Sequence, residues 1–106
     1  MNPVIPCHKS LYVPVFRPEE YRGRLSRLYE TMEQNKTDIV VMSSSVFIYY
    51  FTGFRAWSLY TPQFLCIYKS SEGNWIKQLV IRKMDVTASW SMTNLESEEV
   101  LAYDDE

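Results

Sequence analysis

The sequence predicts an α/β domain. Three observations carry that expectation. Tyr21, Leu25, Leu28, Tyr29 and Met32 recur at helical spacing, and Ile39-Val40-Val41-Met42 is a continuous apolar run. A short apolar helix pattern then follows and stops at Gly53. Helix, strand and helix in quick succession is the order that builds a sheet with helices packed on it. The 106 residues fit one domain, long enough for a single hydrophobic core.

Composition narrows the function classes. The apolar fraction of 46% and charged fraction of 23% are those of an ordinary globular protein. Aromatic residues make up 15%, a high share that points to an interface or a recessed ligand site. A formal charge of −2 leaves no electrostatic footprint for nucleic acid or an anionic membrane. No apolar run approaches the ~18 residues of a membrane span. Residues 1–16 lack the basic start and continuous apolar region of a signal peptide, so a cytoplasmic protein is expected. Cys7 and Cys66 form no disulfide framework, and the lone Cys7-His8 pair cannot furnish a four-ligand zinc site. Cys66, inside an apolar run, is expected as a buried, reduced thiol.

Residues 1–16 carry Pro3, Pro6 and Pro14 without periodicity and read as an extended arm. Its apolar members imply packing, either over its own domain or as a strap to another subunit. Pro18 with Glu19 and Glu20 opens the first helix, where proline and early carboxylates suit the positive end of the helix dipole. Arg17 at the cap position offers no acceptor. Arg22, Arg24 and Arg27 read as a solvated face, and Asn35 as the left-handed stop residue. The 39–42 run lacks alternation and predicts a central strand, covered on both faces and parallel to its neighbours.

Ser43-Ser44-Ser45 offers the cap of a second helix over 46–52. No glycines flank these serines, and His8 is the only histidine that could act as a base, so a nucleophile or phosphate cradle is not expected. Residues 63–69 and 75–82 read as two strands of a hairpin around the turn-type residues 70–74. Asp85 predicts the cap of a third helix, with Val86, Ala88, Ser89 and Trp90 in its first turns. Residues 93–99 read as a polar loop and 100–103 as a last short strand.

The segment from Ile48 to Tyr60 concentrates large side chains where the helix pattern has ended. Phe54, Arg55, Trp57 and Tyr60 are the candidate binding residues. Phe54 suits either a core or a pocket. Arg55 suits either a surface or a carboxylate anchor held by two parallel hydrogen bonds. Trp57 and Tyr60 suit an interface or a pocket wall, because loops seldom carry such groups idly.

Taken in order, these elements resemble the N-terminal domain of the creatinase/prolidase family, the "pita-bread" hydrolases. The residues carrying the likeness are Glu20-Tyr21, Arg24-Leu25, Ile39-Val40-Val41 and Ile48-Tyr49-Tyr50-Phe51-Thr52-Gly53-Phe54. Arg82, Asp85 and the closing Tyr103-Asp104 add to it. The likeness covers about residues 16 to 105, and its most specific piece is Tyr50-Phe51-Thr52-Gly53-Phe54. Ser44-Ser45 and Phe47 depart from the Asp-Pro and Asn that family members often carry at the start of the second helix.

The resemblance implies a small mixed β-sheet flanked by helices on both faces, of ribonuclease H-like topology. It implies that 1–106 is a single N-terminal-type domain, with the catalytic residues in a C-terminal domain absent from this chain. No cofactor and no catalytic or metal-binding residue is then expected in these residues. The parent protein would carry two divalent ions (Mn, Co or Zn) in the missing domain, or none if creatinase-like. The implied partners are the chain's own C-terminal catalytic domain, a second copy in a homodimer, and a peptide or small-molecule substrate met through the parent. The implied activity of the parent is hydrolysis of C–N bonds, in Xaa-Pro peptides (aminopeptidase or dipeptidase) or in small amides. Trp57-Ser58-Leu59-Tyr60 looks closest to members acting on creatine or ectoine. Phe54 and Arg55 occupy the segment that faces substrate in creatinase-like members. The alternative is a non-enzymatic interaction domain, as in histone-chaperone relatives that keep the architecture.

Overall fold

A computed structural model of the chain describes residues 16–55 and 62–104. Its elements are α1 (Pro18–Gln34), β1 (Ile39–Met42), α2 (Ser45–Thr52), β2 (Phe64–Lys69), β3 (Trp75–Arg82), α3 (Val86–Met92) and β4 (Val100–Tyr103). Four strands form one mixed sheet in the order β1-β2-β3-β4. The first two pairings are antiparallel and the last is parallel. This is the expected α/β domain with a small mixed sheet and helices.

The first helix begins as its sequence suggests. Pro18 occupies the first turn, the two glutamates follow it, and Arg17 caps without a side-chain hydrogen bond. The helix ends one residue later than expected. Asn35 keeps φ −94°, and Lys36 takes the left-handed conformation at φ 53°. The Asn35 side chain instead donates from Nδ2 to the Thr31 carbonyl at 2.8 Å, which holds the last turn together.

The strand β1 differs from its expectation in both position and direction. Among the described strands it lies at the edge, and it runs antiparallel to β2. Ile39 is 54% exposed and Val41 56%. An apolar run without alternation is compatible with two buried faces but does not require them. Here only Val40 and Met42 reach the core.

Register decides which side chains share a face. Val40 stands opposite Ile67 and Met42 opposite Leu65, and Leu65 stands opposite Leu79. Leu79 meets Val100, and Ile81 meets Ala102. Every fully buried strand residue (Leu65, Ile67, Leu79 and Ile81) belongs to this face. Leu25 and Met32 from α1, Ile48 from α2, and Val86 and Trp90 from α3 join them in one core.

The opposite face, which the family likeness also clothes in helices, carries none of the buried residues among those described. It is crossed by the rows Ile39–Tyr68–Ile76, Val41–Cys66–Gln78 and Phe64–Val80–Leu101. Cys66 is therefore half-buried on this outer face, and it is a free thiol rather than a core one.

Two connections also differ from their sequence reading. Residues 93–99 are not a polar loop. Thr93 is 1% exposed and Leu95 3%, and residues Ser97–Glu99 form a 3-10 turn closed by a capping box between Glu96 and Glu99. Asp85 ends a 3-10 turn and makes no side-chain cap to α3. Its Oδ2 instead accepts from Arg82 Nε at 2.8 Å, in a buried ion pair.

Candidate functional site

The candidate site is the turn that leaves α2, Thr52-Gly53-Phe54-Arg55. Its shape follows from three local decisions. Thr52 Oγ1 donates back to the Ile48 carbonyl at 2.6 Å and accepts from the Phe54 N–H at 3.1 Å. That one hydroxyl both closes the helix and starts the exit. Gly53 takes φ +85°, the left-handed cap conformation, and its N–H donates to the Tyr49 carbonyl at 2.8 Å. Phe54 then turns inward and is 1% exposed.

Glycine is required at 53 for a second reason. A Cβ there would stand 2.8 Å from the Met92 carbonyl oxygen and 2.9 Å from Tyr21 Oη. The turn is thus wedged between the end of α3 and the first turn of α1. The Arg55 N–H then points at Met92 Sδ at 3.4 Å, and Arg55 is exposed. Burial pushes the Tyr21 phenol above its ordinary value. Tyr49 adds to that rise, while the Phe16 backbone and Arg24 oppose it.

Arg24 is the residue that sequence reasoning misplaced. It is buried, at 9% exposure, rather than part of a solvated face. Its Nη1 donates to the Tyr50 carbonyl at 2.8 Å and its Nε to Glu20 at 3.1 Å. The guanidinium also lies over the rings of Tyr50 (4.2 Å) and Phe16 (4.6 Å). A positive group from α1 therefore sits on the negative C-terminal turn of α2. The signal was present in the spacing. Position 24 lies three residues after Tyr21 and four before Leu28, on the apolar stripe rather than opposite it.

The outward side of α2 is apolar. Val46 is 70% exposed, Phe47 58% and Tyr50 40%. A shallow groove beside it is lined by Leu28, Val40, Met42, Phe47 and Phe51 among others. Ser44 holds the cap position but makes no side-chain cap bond, which matches the departure from the family's helix start.

Of the four candidate residues, the structure brings Phe54 and Arg55 to opposite sides of one turn. Trp57 and Tyr60 lie outside the described residues, as does the 1–15 portion of the arm. Among the described residues no three His, Cys, Asp or Glu side chains gather into a metal-binding group. No described helix is long and apolar enough to cross a membrane.

The model of the Creatinase/Prolidase N-terminal domain matches residues 24–105. The chain belongs to that family. The creatinase/prolidase match is echoed by two curated relatives from Sinorhizobium fredii (strain NBRC 101917 / NGR234), both named as uncharacterized hydrolase/peptidase. The one called y4tM is 29% identical over 90 residues, covering 85% of this chain and 22% of the relative. The one called y4tL is 30% identical over 89 residues, covering 84% and 22%. This chain thus spans about a fifth of the length of the curated relatives it matches. A crystal structure of a proline dipeptidase from Streptococcus pneumoniae TIGR4 superposes with a TM-score of 0.62 at 24% identity. It covers 77% of this chain and 56% of that one, and it supports the fold alone. In this creatinase/prolidase domain, the Thr-Gly-Phe piece is the wedge just described, so its first task is to hold the turn.

Proposed function

We propose that this chain is the non-catalytic N-terminal domain of a creatinase/prolidase-like hydrolase of C–N bonds, whose reacting groups lie in a C-terminal domain. The chain's share of the work is to contribute to a homodimer and to build the rim of a substrate pocket. The observation that carries this reading is the exposure of Arg55 directly after three buried residues, Thr52, Gly53 and Phe54. Its main chain leaves a turn fixed by hydrogen bonds and close packing, while its guanidinium is left to solvent.

A guanidinium on a well-held backbone can bind a substrate carboxylate through two parallel hydrogen bonds. Arg55 fills that role, for a peptide or a small amide that carries a carboxylate. Trp57 and Tyr60 complete the wall, and Phe54 acts from the core by setting where Arg55 emerges. Any divalent metal pair belongs to the C-terminal domain.

The test is steady-state kinetics of the full-length parent with Xaa-Pro dipeptides and small amides. Arg55→Ala should raise KM at least tenfold while the melting temperature stays within about 2 °C, the range of a neutral surface substitution. An unchanged KM removes Arg55 from the pocket.

The exposed apolar side of α2 also suits a non-enzymatic interaction domain of the histone-chaperone kind. A C-terminal sequence without an acidic and histidine ligand set, together with no turnover of either substrate class, selects that reading.

A further inference from the structure

The last residue of α3 meets the Arg55 turn at two points. The carbonyl oxygen of Met92 lies against Gly53, 2.8 Å from where a Cβ would stand. Met92 Sδ, 3.4 Å from the Arg55 nitrogen, accepts the N–H of that residue. One residue thus touches the chain on both sides of Phe54. The helix that presents it is well held. Val86, Ser89 and Trp90 are the buried residues of α3. Thr93, 1% exposed, gives its N–H and its hydroxyl to the Ser89 carbonyl, each at 2.9 Å. Met92 itself packs against the same core while staying half-buried.

We propose that the Met92 thioether positions Arg55 for substrate, and that its oxidation to the sulfoxide weakens substrate binding. The proposal rests on the carboxylate-binding role given to Arg55 above and adds what aims that residue and what regulates it. Thr52 and Gly53 fix the exit from α2, and Phe54 is anchored in the core. The next main-chain donor along the chain is the Arg55 N–H, and Met92 takes it. A guanidinium on a long side chain is aimed by its backbone, so a shift there is carried to the group that meets substrate. Misplacement by about 1 Å can cost on the order of 100-fold in rate.

Sulfur is a weak acceptor, and it is also the atom of this contact that chemistry can change. A peroxide transfers one oxygen atom to the thioether. An S–O bond forms, the O–O bond breaks, the sulfur gives up two electrons and the peroxide leaves as water. A flexible apolar side chain becomes a polar, chiral one. The new oxygen is a stronger acceptor that stands off the sulfur, so the Arg55 N–H can follow it only by moving. Met92 is neither sealed like Met32, 2% exposed, nor free like Met84, 69% exposed. Met84 lies in the turn that precedes α3, at the opposite end of the helix from Met92, and serves as the internal control.

Steady-state kinetics of the full-length parent on a Xaa-Pro dipeptide test both parts. Met92→Leu conserves volume, which cores tolerate well, and removes the acceptor. Its KM should rise about threefold to tenfold, the worth of one neutral hydrogen bond, while kcat and the melting temperature hold. Arg55→Ala/Met92→Leu should show the KM of Arg55→Ala, because Met92 acts through Arg55. Hydrogen peroxide should raise the KM of the parent and of Met84→Leu alike, and methionine sulfoxide reductase should restore it. Peptide mass mapping should find the sulfoxide at Met92, and peroxide should leave the KM of Met92→Leu where it was. An unchanged KM in Met92→Leu, or additive effects in the double variant, overturns the positioning role. A peroxide effect that persists in Met92→Leu, or no sulfoxide at that residue, overturns the switch. Each of these failures leaves Arg55 in the pocket as long as Arg55→Ala alone raises KM, and a silent Arg55→Ala removes the underlying reading and this proposal together.

Discussion

The guanidinium of Arg24 donates to the main-chain oxygen of Tyr50, 26 residues further along the chain, at 2.8 Å. This bond joins the first turns of α1 to the last turn of α2, beside the turn that carries Arg55. It is a charged donor on a helix C-terminus, with the Tyr50 ring stacked beneath it.

Arg24→Met keeps the aliphatic bulk and removes both the hydrogen bond and the charge. Leaving a part-buried carbonyl without its charged donor costs about 2 kcal/mol. Urea unfolding should show that loss as a lower midpoint with an unchanged slope. Arg24→Lys should recover little of it, because an ammonium cannot both stack on the ring and reach Glu20 and Tyr50. A loss below about 0.5 kcal/mol, the size of a neutral surface change, would mean that this contact does not hold the helices together.

The three glycines give an internal comparison. Gly53→Ala meets both a left-handed φ and main-chain and side-chain atoms inside 3.0 Å, whereas Gly73→Ala meets only the φ of +88° in open space. Alanine in the left-handed region costs roughly 1–2 kcal/mol, so Gly73→Ala should lose about that much and Gly53→Ala clearly more. Gly23 lies within α1 with ordinary contact distances, and Gly23→Ala should gain about 0.5–1 kcal/mol. Thermal melts of the three variants give the order, and equal losses at 53 and 73 would remove the wedge.

Breaking the Arg82–Asp85 pair should be expensive, since both side chains are largely buried. Asp85→Ala takes from Arg82 Nε its largely buried carboxylate acceptor and is expected to cost about 3 kcal/mol. The double variant Arg82→Met/Asp85→Ala should cost less than the two single losses added together. Additive losses would show that the two residues act separately.

Alkaline pH should loosen the fold through two phenols. Burial raises Tyr21 and Tyr29 above their ordinary value, with Tyr49 and Glu99 respectively adding to the rise. The folded state thus holds these protons more tightly than the unfolded chain does. The stability they contribute is fully present below the ordinary phenol value near pH 10 and is lost as pH rises through the higher folded values. Melting temperatures from pH 8 to 11 should fall above about pH 10, and Tyr21→Phe/Tyr29→Phe should flatten that fall. An identical decline in the double variant would assign it to other groups.

Local patterns were legible without the structure. The apolar stripe of α1, the stop at Gly53 and the span of β3 follow from spacing, backbone freedom and the turn residues that precede the strand, and each depends on residues within a few positions of one another. The likeness to the creatinase/prolidase domain was legible for the same reason, because it rests on a contiguous motif. The dual role of Gly53 was only half visible. Its left-handed cap can be read from the chain, but the nearness of Met92 and Tyr21 cannot.

What the sequence by itself determined is the set of elements and the turn chemistry between them. Tertiary structure decided their neighbours. It put β1 at the edge, sent Asp85 to Arg82 instead of to a helix cap, buried Thr93 and Leu95, and drew Arg24 out of solvent onto the end of α2. The physical reason is common to all four. A run of Ile and Val is satisfied by one buried face or two, and a carboxylate or guanidinium by any suitable partner within reach. Which option wins depends on what other segments bring alongside, and that information lies in distant parts of the chain.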